Sequence, residues 1–413
     1  MLKIKGILIL GNGISGRAVY EYARSEGANA VFFHDGISVD KTKFDFAVIS
    51  PGISKSQNCY IKIKGSGIPV FSELDFAYLN KPFRSLSVTG TNGKTTVALM
   101  VCGMLKKANI ECEPIGNMGI PFCSFKTNFP KVAEVSSFML EQSKFFRTDY
   151  SCITNITVDH LQYHVTREKY RKAKLKLLSF SEKGIVYNPE RFDFLPFVAG
   201  KKSLTYSING KTDLFVKNGI IYYNDRYKTY GILNIDDMKI SGKHNVENTL
   251  SALGLCIISF GYHSGYADFL KEYRGEKFRN EYKGIINGKR VYNDSKGTNV
   301  SSTVASYETM SGCTAILVGG YDKGESFAPL FERINQKDVL YVFGDNSEKI
   351  VAEAGKNNIR NHLCKTIEEA FVKALFDKVD NILFSPACSS FDRFENFEKR
   401  GEFFDEFIEK FKK

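Results

Sequence analysis

The stretch "SLSVTGTNGKTTVALM" (85–100) constrains this chain more than any other. An apolar β-type run leads straight into a glycine-punctuated loop. The loop leads into residues whose apolar positions, Val97, Met100, Val101, Met104 and Leu105, recur at i, i+3, i+4, i+7 and i+8. That spacing predicts a helix starting at Lys94-Thr95-Thr96. A strand–loop–helix of this kind aims backbone N–H groups and the positive end of the helix at one point, where an anion can sit. Gly90 and Gly93, with Thr91 and Asn92 between them, allow the tight turn. Lys94 offers a cation to β- and γ-phosphates, and the Thr95 hydroxyl is placed to ligate Mg²⁺. The full Walker pattern wants a glycine where this chain has Val88, so the loop is a shortened relative. It predicts a nucleoside triphosphate with Mg²⁺.

With 413 residues the chain exceeds what one core serves, and two or three domains are expected. Hydrophobic content of 43% and charged content of 25% are ordinary for a globular protein. No apolar run approaches a membrane span, and the first residues lack the pattern of a signal peptide, so neither membrane insertion nor export is expected. The nine cysteines are scattered without a Cys-x-x-Cys pair, which suits reduced thiols in a cytoplasm. The net charge of +11 is spread along the chain with acidic residues interspersed. That pattern argues for a lysine-rich surface serving polyanionic small substrates, and against nucleic acid as a partner.

The pattern along the chain predicts an α/β protein. Strands at "GILIL", "ANAVFFHD" and "FDFAVISPGI" flank a helix over "SGRAVYEYARSEG". Short β-type runs between about 185 and 240 ("KSLTYSI", "DLFVKNG", "IIYYN") predict a small antiparallel elaboration. A helix over "GKHNVENTLSALGLCIISFG" follows, and then "KRVYND", "TAILVGG", "DVLYVFG" and "NILFSPA" alternate with helical stretches. Boundaries at 81/82 and 275/276 give three α/β domains in a row. The first and third are Rossmann-like, and the second is a P-loop ATPase type carrying the elaboration.

The loop does not stand alone. "GNMG" (116–119), "EVSSFMLE" (134–141), "NITVDHL" (155–161), "YRKAKLKL" (170–177) and "SGKHNVEN" (241–248) accompany it. Together they resemble the central ATPase domain of the Mur ligase family, whose members add amino acids to a UDP-linked muramic acid precursor of peptidoglycan. "YNDSKGTN" (292–299) and "SPACSSFDRFENFEKRG" (385–401) are similar to the branch that adds D-glutamate. The resemblance spans essentially the whole chain. It implies ATP-dependent amide-bond formation through an acyl phosphate and a tetrahedral intermediate, by a monomer in the cytoplasm with ATP, two Mg²⁺ sites and small-molecule substrates. Such chemistry needs charge neutralisation and alignment more than a protein nucleophile.

Carried over residue by residue, the resemblance implies that Lys94 and Thr95 bind phosphates and the first Mg²⁺, which Glu134 also ligates. His160 would hold a second Mg²⁺, joined by Lys174 in carbamylated form. From residue chemistry alone, Lys174 is a solvated charge like its helix neighbours. Asn117 and Ser136 would contact the UDP-linked substrate. Asn245, Asn248, Arg279 and Asp294 would surround the adenine, ribose and phosphates. Lys296, Thr298, Lys323 and Ser390, with the backbone near Phe397, would form the D-glutamate pocket in the third domain. Gln162 and Gly297 depart from the family pattern, where aspartate and alanine are usual, at positions outside the catalytic core.

Two rival signals need weighing. "GNGISG" (11–16) matches Gly-x-Gly-x-x-Gly after a strand, with Asp35 19 residues on, and alone would argue for an NAD-dependent oxidoreductase. No constellation for hydride transfer accompanies it. The resemblance instead makes this domain the holder of the UDP substrate, with Gly13, Ile14, Ser15, Asp35, Ser50, Pro51 and Gly52 at the contacts. His160 and His164 are four apart as in a zinc helix but lack the glutamate after the first histidine, so His164 is expected at the surface or in a cap. Cys388 is expected to be small and buried. Other amino-acid-adding members and folylpolyglutamate synthase share the ATPase core, but "NDSKGTN" and "SPACSSFD" argue against both.

Overall fold

The computed structural model describes residues 6–34, 39–118, 120–157, 161–191, 195–210 and 212–412, with only the backbone of Leu161, Gln162 and Leu195. Its strands form three sheets. The first contains β1 (Gly6–Leu10), β2 (Asn29–Phe32), β3 (Phe46–Ile49) and β4 (Val70–Ser72), all parallel, in the order β2-β1-β3-β4. Ile7 and Ile9 pack into one core cluster, Leu8 and Leu10 into another on the opposite face, as the two-residue period of a strand demands.

The second sheet has nine strands: β5 (Ser85–Thr89), β6 (Glu113–Gly116), β7 (Lys131–Glu134), β8 (Thr148–Ile153), β9 (Ser181–Tyr187), β10 (Lys202–Ser207), β11 (Leu214–Lys217), β12 (Ile220–Asn224) and β13 (Thr229–Asn234). Their order is β13-β12-β11-β10-β9-β8-β5-β7-β6. The expected elaboration is present with a difference. β11, β12 and β13 pair antiparallel with one another, but β11 joins β10 in parallel, so the elaboration continues the central sheet. The helix after β5 spans Lys94–Lys107 and buries Val97, Met100, Val101, Met104 and Leu105 completely. Each such side chain contributes about 1.5–3 kcal/mol of burial.

The third sheet holds β14 (Glu281–Ile286), β15 (Lys289–Asn293), β16 (Thr314–Gly319), β17 (Val339–Phe343), β18 (Asn361–Leu363) and β19 (Asn381–Phe384), in the order β14-β15-β19-β16-β17-β18. Only β14 runs antiparallel to its neighbour. Ala315 and Leu317 pack on one face, Ile316 and Val318 on the other, and helices cover both.

By packing, the chain falls into two compact units: Met1–Met238 with Val246–Tyr273, and Lys239–Asn245 with Arg274–Lys413. The first two sheets lie in the first unit, the third in the second. The buried Asp75 carboxylate ties the first unit together by accepting from the backbone N–H groups of Lys144, Phe145 and Phe146 at 2.7–2.9 Å. Gln142 Nε2 donates to the Ile53 carbonyl at 2.8 Å. Among the described residues, no helix is long and apolar enough to cross a membrane.

Candidate functional site

The phosphate loop joins the carboxyl end of β5 to the Lys94–Lys107 helix. Gly90 has φ +156° and Gly93 φ +80°, conformations that a side chain would strain. Neither leaves room for one. A Cβ on Gly90 would lie 1.9 Å from Thr154 Oγ1, and one on Gly93 2.2 Å from Asn248 Oδ1. The loop is pinned from outside as well. The N–H groups of Thr91 and Asn92 donate to the Asn155 carbonyl and Oδ1, both at 2.9 Å, and Thr154 Oγ1 donates to the Asn92 carbonyl at 2.6 Å.

Around this cradle the expected groups converge. Lys94 Nζ donates to the Thr91 carbonyl at 2.7 Å, curling its charge over the loop. Thr95 Oγ1 donates to Glu134 Oε2 at 2.7 Å, and Asn117 Nδ2 donates to Glu134 Oε1 at 2.8 Å. Glu134 ends β7 and is buried, so a hydroxyl and a carboxylate oxygen sit side by side at the helix N-terminus. Hard oxygen donors of this kind are what Mg²⁺ prefers, and the loop's backbone suits a polyphosphate. Thr96 points into the core, and Ser136 caps the Ser137–Gln142 helix by accepting from the Met139 N–H at 3.3 Å.

Lys174 differs from its helix neighbours. It is 1% exposed, and its Nζ donates to the Gly90 carbonyl at 2.6 Å and lies 4.7 Å from the Tyr170 ring. The Tyr170 hydroxyl in turn hydrogen-bonds Thr91 Oγ1 at 3.0 Å. Residue chemistry pointed to a solvated charge; the structure aims this lysine at the phosphate loop. His164 is also corrected, because it is 2% exposed rather than at the surface. Its Nε2 meets Ser137 Oγ at 3.0 Å, its Nδ1 meets Glu141 Oε2 at 3.2 Å, and its ring stacks on Phe138. His160 and Asp35 lie outside the described residues.

The glycine loop of the first sheet follows β1, and the Ser50-Pro51-Gly52 turn follows β3. β1 and β3 are neighbours from which the chain proceeds in opposite directions across the sheet, the position where open α/β sheets bind ligands. Gly13 occupies the N-cap position of the Ile14–Ser25 helix, and Ile14 is 68% exposed beside it. Ser15 is partly buried in the first turn. A Cβ on Gly16 would lie 1.9 Å from the Gly11 carbonyl oxygen, so the close packing of loop and helix requires glycine.

In the second unit, the residues expected for the amino-acid pocket gather at the carboxyl edge of the third sheet. Lys296 and Thr298 follow β15, Lys323 follows β16, and Ser390 and Phe397 follow β19, the three adjacent central strands in which β19 lies between β15 and β16. Lys296 Nζ sits 3.6 Å from the Phe397 ring centroid, and Lys323 Nζ pairs with Glu325 at 3.0 Å. Ser390 is buried. Asn245 Nδ2 donates to the Ser241 carbonyl, and Arg279 is partly buried near Asp294. The Asp294 carboxylate accepts from Ser385 Oγ at 2.6 Å, Ser306 Oγ at 2.8 Å and the Asn280 N–H at 3.0 Å. Burial pushes its carboxyl up to about 6. The Cys388 thiol, buried as expected, is pushed up to about 12 by the same cause.

The sequence reading assigned no role to Thr154, Asn155, Tyr170 or Arg400. "TNIT" (154–157) and "YRKAK" hold Thr154, Asn155 and Tyr170, and a polar residue beside a phosphate loop is a natural loop anchor. Arg400 carried no such signal.

The Mur ligase middle domain family matches residues 88–256. The UDP-N-acetylmuramoylalanine–D-glutamate ligase of Caldicellulosiruptor bescii is 32% identical, over 98% of this chain and 98% of its own. Among solved structures, a pseudomurein peptide ligase type C from Methanothermus fervidus superposes with a TM-score of 0.66 at 18% identity, covering 99% of this chain and 100% of that one. The MurF ligase of Thermotoga maritima in complex with ADP gives 0.63 at 15% identity, covering 98% and 96%. At 32% identity to the Caldicellulosiruptor bescii ligase over nearly its whole length, the chain belongs to the Mur ligase family, among the UDP-N-acetylmuramoylalanine–D-glutamate ligases.

Proposed function

We propose that this ATP-dependent ligase joins D-glutamate to UDP-N-acetylmuramoyl-L-alanine by way of an acyl phosphate. The observation that carries the reading is the convergence of Lys94, Thr95, Glu134 and Lys174 on one glycine-built loop. A carboxylate is a poor acyl donor at neutral pH, so its oxygen must become part of a leaving group. The alanyl carboxylate attacks the γ-phosphorus of ATP, and ADP leaves. The amine of D-glutamate then adds to the acyl carbon, loses a proton, and the tetrahedral intermediate expels phosphate.

Lys94 balances charge on the transferring phosphoryl group, and the loop N–H groups orient it. Thr95 and Glu134 would hold Mg²⁺, which when bound screens the phosphate oxygens. His160 and a carbamylated Lys174 would serve a second ion. Gly13, Ile14, Ser15, Asp35 and Ser50–Gly52 would receive the UDP moiety, Asn117 and Ser136 the rest of that substrate. Asn245, Asn248, Arg279 and Asp294 would serve ATP, and Lys296, Thr298, Lys323, Ser390 and Phe397 D-glutamate. The three-domain division at 81/82 and 275/276 would give the UDP moiety to the first domain, the phosphate loop to the second and D-glutamate to the third, and a cytoplasmic monomer fits small soluble substrates.

The test is phosphate release with UDP-N-acetylmuramoyl-L-alanine and ATP–Mg²⁺, offering D-glutamate, L-glutamate, meso-diaminopimelate and L-lysine in parallel. Release should depend on D-glutamate. Equal or faster release with another amino acid overturns the substrate assignment.

A further inference from the structure

Arg400 is among the largest fully buried side chains, 1% exposed, in the first turn of the Phe397–Glu409 helix. That is a costly place for a cation, because burial opposes the charge and the helix N-terminus is itself positive. Burial pulls its guanidinium down to about 10. An apolar residue of similar size would serve packing alone at less cost, so the bonds it makes must explain it.

Those bonds join two loops and the start of the helix. Nε donates to Ser295 Oγ at 3.1 Å, and Nη2 donates to the Ser295 carbonyl at 2.8 Å and the Cys388 carbonyl at 3.0 Å. Ser295 Oγ passes the connection on by donating to the Phe397 carbonyl at 2.8 Å. Ser295 precedes Lys296, Cys388 lies two residues before Ser390, and Phe397 opens the helix. Nη1 is buried with no hydrogen-bond partner among the described residues, and a Cβ on Gly320 would lie 3.2 Å from it. It therefore faces the turn that leads from β16 to Lys323.

We propose that Arg400 is a positioning residue for the amino-acid pocket, setting Lys296, Ser390 and Phe397 in register and leaving positive charge that favours a dicarboxylate. A planar fork is required for this, since a lysine ammonium cannot span Ser295 and Cys388 in the same geometry. The inference rests on the D-glutamate reading.

Arg400→Lys and Ser295→Ala, compared with wild type in the phosphate-release assay and in thermal unfolding, separate the possibilities. Arg400→Lys should raise the KM for D-glutamate by about 10-fold or more, the loss expected when a hydrogen bond to a charged group goes. Ser295→Ala should shift it in the same direction by about fivefold, as for a neutral bond. The KM values for ATP and the UDP substrate should stay within about twofold, because uniform binding elsewhere is untouched. A lower melting temperature with an unchanged D-glutamate KM overturns the proposal, as do three KM values that rise together. If Arg400→Lys does not fold, Ser295→Ala decides by the same criterion. A wild type whose phosphate release ignores D-glutamate overturns the functional reading along with the inference.

Discussion

The phosphate loop in the first unit and the amino-acid pocket proposed for the second would solve the same problem, gripping an anion, by different means. The loop is built from backbone. Two positive-φ glycines, a helix N-terminus and a handful of residues within ten positions create it, and outside anchors such as Asn155 only hold it still. The pocket is built from side chains on loops more than a hundred residues apart, tied by Arg400 and underpinned by the buried Asp294. Local construction makes chemistry separable from stability. Construction at a distance couples them, because the residues that shape the pocket are also core.

The comparison would break first at the loop. Lys94→Ala should cost about 10²–10³ in turnover, the usual loss of one preorganised electrostatic group, with the melting temperature nearly unchanged. ADP release under saturating substrates measures it, and activity within threefold of wild type would remove Lys94 from the site. Lys174→Ala should cost a similar factor while ATP still binds through Lys94 and Thr95, as read by equilibrium binding. Added acetate or formate should restore part of the rate if the lysine acts as a carbamate, by returning oxygen ligands. Lys174→Arg should resist that rescue. Full activity of the Ala variant without added acid would reduce the Gly90 contact to a structural one.

These two lysines also show what could be read from sequence. Lys94 was legible because its meaning is set by Gly90, Gly93 and the apolar helix period, all within a few residues. Lys174 was visible only through resemblance, since its burial depends on how the Arg167–Phe180 helix packs over a loop 84 positions earlier. His164 went astray for the same reason. The major strands were legible from apolar runs, whereas β4 and β18 have three residues each, too few to show a period. β14 is a half-exposed edge strand with little apolar signal. The way β11 continues the central sheet was hidden because parallel pairing with β10 leaves no mark on either strand.

In the second unit the expected effects fall on stability. The Asp294 carboxyl is raised from 3.8 to about 6 by burial, so the folded state holds its proton more tightly than the unfolded chain does. The stabilisation it contributes is complete below about pH 4, declines as pH rises through 6, and is gone by about pH 7. About two pKa units correspond to about 3 kcal/mol across the window. Asp294→Asn removes the titration while keeping an acceptor for Ser385 and Ser306. The stability difference between wild type and variant should therefore drift by about 1 kcal/mol between pH 5 and 6 and level off above 7, in urea unfolding. A flat difference throughout would place the Asp294 proton equilibrium where it lies in the unfolded chain.

The smallest effect tests the departure at Gly297. Its φ is not in the left-handed region, so alanine incurs no backbone strain; what matters is space. A Cβ there would lie 2.5 Å from Ser385 Oγ and 2.6 Å from Asp294 Oδ2, and 3.0 Å from the Asp294 carbonyl oxygen. The two side-chain oxygens are hydrogen-bonded to each other, so neither can retreat alone. Gly297→Ala should cost about 1–2 kcal/mol, within the ordinary range for overpacking, read as a lower urea midpoint at constant slope. Because Gly297 sits between Lys296 and Thr298, the shift should also appear as a weaker KM for D-glutamate. The corresponding insertion at the phosphate loop, Gly93→Ala, meets Asn248 Oδ1 at 2.2 Å with φ at +80° and should impair ATP binding instead. If Gly297→Ala is silent in both readouts, the Ser385–Asp294 pair yields freely, and the pocket is less rigidly coupled to its core than its hydrogen bonds imply.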